Sequence, residues 1–124
     1  MTSDARQYRL GMTDQHLFQF GFETPDQHPN NAEHDWDDQD SAAVWILSDN
    51  PKEALLWGEG IAEAYVEWLF SRAGRKGYSW REAGFASWIE NDPETLKAAS
   101  LIDIPVVRVG HMPELEKVGP RYGD

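Results

Sequence analysis

The residues best equipped for chemistry crowd into one short stretch. His28, His34, Asp35, Asp37, Asp38 and Asp40 all lie between positions 28 and 40. Neutral imidazoles and carboxylates together form a ligand set for Zn²⁺ or another divalent ion. His28, His34 and Asp35 are the metal candidates, although a six-residue spacing converges neither on a helix face nor across a hairpin. Asp35, Asp37 and the neighbouring acids match part of a calcium loop, but the central Gly and the bidentate Glu are missing. The expected cofactor is therefore none. Acid/base chemistry needs two carboxylates flanking a cleft, or a His beside a carboxylate. With 22 Asp+Glu in 124 residues, such pairs arise by chance. His16, at the start of a strand, and His111, just after the last one, would be neighbours if those strands aligned. The chain has no Cys, so thiol nucleophiles and thiolate metal sites are excluded. Nucleotide binding is not an expected function. Gly58-Glu59-Gly60 sits inside a helical stretch, and the junction at Ser48–Asn50 carries an aspartate instead of glycines. No catalytic residue is assigned.

Charge is more informative. The net charge is −11, and residues 24–41 carry −6 of it with no Lys or Arg. That field repels a phosphate backbone and an anionic membrane surface, so neither is an expected partner. The dense basic group Arg72, Arg75 and Lys76 falls at a helix end, where cations suit the helix dipole. Trp36 stands among Asp35, Asp37, Asp38 and Asp40. An indole ringed by carboxylates suits a basic protein partner, because acids speed encounter and the aromatic supplies burial. The opposing reading is a Trp that folds back to anchor its loop. Glu59, Glu63 and Glu67 repeat every four residues and form either a second binding stripe or a solvated face. These observations imply a non-catalytic acidic binding module, in its specific form an immunity- or inhibitor-type protein that imitates phosphate charge. One alternative is a small metal-dependent or acid/base hydrolase using His28, His34 and nearby Asp. The other is an oligomerisation or scaffold domain using exposed aromatics such as Trp57. Oligomeric state is not specified.

The elements that must position these residues are readable from patterning. Length fits one globular domain over residues 1–124. The N-terminus has no signal-peptide core and no apolar run spans a membrane, which points to the cytoplasm. Residues 8–12 are expected to form a short strand. Phe18, Phe20 and Phe22 alternate with Gln19, Gly21 and Glu23, predicting a half-buried strand over 16–23. Residues 24–41, rich in Pro and Asn, read as a long loop. Ala42–Leu47 is continuously apolar and predicts a central strand. Asn50-Pro51 with Glu53 marks a helix start, and the apolar stripe Ala54, Gly58, Ile61, Tyr65 and Trp68 carries that helix to about residue 73. Gly58 in a helix interior calls for a close approach to a sheet or a bulky side chain. Ser79 and Glu82 predict a helix over 80–90, Asp92-Pro93 a short one, and Ile104–Val109 a last strand. A polar tail from about residue 110 is expected to pack loosely. The fold class is α+β: one layer of three or four mixed or antiparallel strands against one long helix and one or two short ones.

Overall fold

The computed structural model describes residues 14–118. The strand expected over 8–12 lies outside them. The chain forms β1 (Asp14–Phe22), α1 (Gln27–His34), β2 (Asp40–Ser48), α2 (Pro51–Arg72), α3 (Trp80–Ala83), β3 (Ser87–Ile89), α4 (Pro93–Ala99), β4 (Val106–Arg108) and a 3-10 turn at Leu115–Lys117. The four strands make one mixed sheet in the order β3-β1-β2-β4. β1 pairs antiparallel with both β2 and β3, and β2 pairs parallel with β4. This is an α+β arrangement with the long helix laid on one face of the sheet.

The apolar segment 42–47 is interior to the sheet, as its composition demands. Ala42, Val44 and Ile46 face the main core with Phe18, Phe20 and Phe22. Ala43 and Trp45 face the other side, where Leu17, Leu96, Ala99 and Ile104 cover them. β1 departs from the half-buried expectation, since every residue from Leu17 to Glu23 is buried. Its second face is also covered, Leu17 packing there with Ala43, Ala99 and Ile104, and Gln19 is satisfied by a bond from its Nε2 to Glu90 Oε1 at 2.7 Å.

α2 begins where the capping residues place it. Asn50 is extended and its side chain accepts from the Lys52 N–H at 2.8 Å. Asn50→Ala is expected to cost about 1 kcal/mol, read as a lower urea midpoint with an unchanged slope. The buried face carries Ala54, Gly58, Ile61, Ala62, Tyr65, Val66 and Phe70. At Gly58 an added Cβ would sit 2.3 Å from Phe18 Cδ1, so the glycine marks the closest approach of helix to sheet. Trp68 is only partly buried and carries the Arg72 guanidinium 4.6 Å above its ring.

Three expectations are corrected. The helix predicted over 80–90 stops after Ala83, because Gly84 takes a left-handed conformation (φ 80°) and its N–H closes back on Trp80 and Arg81. Residues 87–89 then join the sheet edge beside β1. The segment 24–41 is not one long loop. Thr24 and Gln27 form a reciprocal cap, with Gln27 N–H donating to Thr24 Oγ1 at 3.1 Å and Thr24 N–H to Gln27 Oε1 at 2.8 Å. That cap starts α1. The described part of the tail, residues 110–118, is also anchored, since Pro113 and Val118 are buried and Val118 belongs to the main core.

Candidate functional site

Two polar features flank α1, and Asn31 ties them together. The first is the turn from Asp35 to Gln39. α1 ends at Asp35, whose backbone is left-handed at φ 57° and whose N–H closes on Asn31 O. Aspartate tolerates this conformation better than most non-glycine residues. Its charge, however, sits at the negative end of the helix dipole, where an anion is disfavoured. The turn is held by Asn31, which donates to Asp38 O at 2.9 Å and accepts from Asp38 N–H at 3.0 Å. Trp36 is 52 % exposed and stacks on the His34 ring, with centroids 4.3 Å apart at 23°. Asp35, Asp37 and Asp38 are exposed and Asp40 half-buried. Among the described residues, none of these four acids is paired with a Lys or Arg.

The second feature is a polar cluster around Glu23, a residue with no local motif in the sequence to mark it. Glu23 is 8 % exposed. Its Oε2 accepts from Tyr78 O–H at 2.7 Å and from His28 Nδ1 at 3.0 Å, and its Oε1 accepts from Asn31 Nδ2 at 3.1 Å. Tyr78 is fixed by stacking on Phe70, centroids 3.8 Å apart at 3°, and His28 sits edge-on to both rings. Burial pushes the Glu23 carboxyl up, but the three hydrogen bonds and the nearby imidazole outweigh it and hold the group below its ordinary value of 4.5. The same burial, with Glu23 beside it, raises Tyr78. Because the folded-state value of Glu23 is depressed, its contribution to stability is complete above the unfolded value. That contribution is lost as pH falls through the folded value. Urea midpoints measured from pH 7 downward should therefore drop more steeply below about pH 5 for the native chain than for Glu23→Gln. Parallel curves would contradict this.

The other candidate residues are dispersed or already engaged. Glu63 accepts from Ser79 Oγ at 2.9 Å and from Trp80 N–H at 2.7 Å, capping α3. Glu59 accepts from Ser87 Oγ at 3.2 Å, and Arg81 lies 3.8 Å from Glu59 and 4.0 Å from Glu63. Of the stripe, Glu67 alone is exposed, Glu59 and Glu63 being half-buried. The structure does not gather His28, His34 and Asp35 as ligands. His28 is bonded to Glu23, His34 is stacked on Trp36, and no group of three or more His, Asp or Glu among the described residues is placed to hold a metal ion. His16 donates from Nε2 to Ser48 O at 2.9 Å. It sits on β1, and β2 separates that strand from β4, which His111 follows. Trp57, the scaffold candidate, is partly buried and donates its indole N–H to His111 O at 2.9 Å. Trp80 is buried in the main core and Trp45 packs against the second one, whereas Trp88 is 40 % exposed.

No helix among the described residues is long and apolar enough to cross a membrane. Compared with protein-family models, curated proteins and solved structures, the chain matches none.

Proposed function

We propose that this protein is a non-catalytic binding module that docks a basic protein through the Trp36 face. One observation carries the reading: a half-exposed indole, braced by the His34 ring, stands among carboxylates that have no cationic partner among the described residues. Asp35 adds a second support. An anion in a left-handed conformation at the wrong end of a helix is locally unfavourable, and such strain concentrates at functional positions. Glu59 and Glu63 leave the proposed surface because they cap and tether residues 79–87. The contact set is Trp36, Asp35, Asp37, Asp38 and Asp40. Its specific form is an immunity- or inhibitor-type protein that covers the cationic site of a basic enzyme.

The test is a titration of the chain with an alternating Arg-Ala peptide. Affinity should fall more than about ten-fold between about 50 mM and about 500 mM salt, since exposed charges are screened over that range. Changing Asp35, Asp37, Asp38 and Asp40 together to Asn should weaken binding, whereas changing Glu94, Glu114 and Glu116 together to Gln should have a much smaller effect. Equal losses from the two variants would mean diffuse attraction to an acidic protein, and the reading would fail.

A further inference from the structure

Beside the Glu23 cluster lies an open cavity of about 390 Å³, lined by Glu23, His28, Tyr78, Ser79, Glu82 and Phe85 together with Gly77 and Ala83. None of these residues is a Lys or Arg. Of the neighbouring cations, Arg81 is drawn to Glu59 and Glu63, Arg75 donates to Pro25 O, and Lys76 is exposed and outside the lining. A carboxylate has about four acceptor positions, and Glu23 fills three of them with Tyr78, His28 and Asn31. Its side chain, 10 % exposed, is part of the lining of this cavity.

We propose that the cavity is a receptor for one alkylguanidinium group. A buried carboxylate with a spare acceptor position, whose one close basic neighbour is the His28 imidazole and which has no Lys or Arg beside it, is a pre-arranged anion for a planar cationic donor. Its surroundings suit guanidinium better than a compact ammonium. Tyr78, His28 and Phe85 supply aromatic walls, and guanidinium stacks on aromatic faces while being more weakly hydrated. Glu82 supplies a second carboxylate at the lining. Orientation is fixed before binding, because Tyr78 is clamped on Phe70 and Asn31 is held by Asp38. Ordering the site on binding therefore costs little. The hydrogen bonds that keep Glu23 ionised act in the same direction, since they preserve the negative charge in spite of burial.

The site is separate from the Trp36 face and is tested separately, with small probes read at the cavity residues. In a ¹H–¹⁵N titration, N-butylguanidinium should saturate shifts at Gly77, Tyr78, Ser79 and Phe85, with an affinity of roughly millimolar order. The neutral isostere N-butylurea should leave those resonances unmoved. Glu23→Gln should weaken binding at least about ten-fold through loss of a charge-assisted bond. If that variant fails to fold, the exposed Glu82→Gln provides the decisive arm, with a loss of about three-fold expected for a solvent-accessible charge. Agmatine and a blocked arginine tripeptide distinguish a free small cation from a side chain of a protein partner, the tighter of the two naming the source. The proposal is overturned if N-butylguanidinium gives no saturable shift at the cavity, if it moves the Trp36 turn instead, if N-butylurea binds equally, or if Glu82→Gln changes nothing.

Discussion

Trp36→Ala should weaken binding of a basic protein partner by about 30-fold, close to 2 kcal/mol, the scale of a central aromatic anchor. The expectation rests on exposure and bracing together. The indole is 52 % exposed, so it has area left to bury, and its stack on His34 limits the rotamer freedom lost on docking. The loss should fall mainly on the dissociation rate. The change of Asp35, Asp37, Asp38 and Asp40 to Asn should fall mainly on the association rate and its salt dependence. Surface plasmon resonance at two ionic strengths separates the two effects. His34→Ala should give a smaller loss of the same kind, since it removes the brace and leaves the anchor. The fold should be indifferent to Trp36→Ala, because the indole makes no core contact and surface changes usually stay within about 0.5 kcal/mol. A thermal midpoint unchanged together with an unchanged dissociation rate would remove Trp36 from the binding surface.

Gly58→Ala should be the most damaging single methyl in the chain. In an open helix the change is favourable by about 1 kcal/mol. Here the new Cβ would lie 2.3 Å from Phe18 Cδ1 and 2.4 Å from Phe18 Cγ. Phe18 is fully buried and stacked on Phe20, with centroids 5.7 Å apart, so its ring has no free direction in which to move. Overpacking of this kind costs about 1–3 kcal/mol. With the overlap this deep, the upper end applies, and a net loss of about 2 kcal/mol is expected from urea denaturation. That is a large share of the stability of a small domain, which is typically about 5–15 kcal/mol. The companion change Phe18→Leu should recover part of the loss, because the smaller side chain makes room for the methyl. A double-mutant cycle should show that coupling. Strict additivity of the two changes would place the clash elsewhere.

Several elements could be read directly because their signals are local. The Asn50-Pro51 start of the long helix, the alternating Phe18, Phe20 and Phe22, and the apolar run at 42–47 each depend on neighbours a few positions away. The demand for a close contact at Gly58 was also legible, since glycine inside a helix is costly without one. Two local signals were overridden by stronger-looking ones. The acidity and Pro/Asn content of 24–41 hid the Thr24–Gln27 cap that starts α1. The capping box at Ser79–Glu82 suggested a full helix, although Gly84 stood ready to end it.

The Glu23 site had no such local signal. Its members come from the end of β1, from α1 and from the segment after α2, and Tyr78 lies 55 residues from Glu23. The alternation of β1 marked Glu23 as solvent-facing. It is buried because α1 and residues 77–79 close over that end of the strand. The same logic separates Glu63 from Glu67: identical residues four positions apart on one helix, one consumed in capping α3 and the other left in water. Composition and short-range periodicity determine where helices and strands form and what net charge the chain carries, because propensity, capping and charge belong to residues and their immediate neighbours. Which carboxylates stay free, and which become part of the interior, is set by contacts between elements distant in the chain, and only the assembled sheet and helices bring those contacts about.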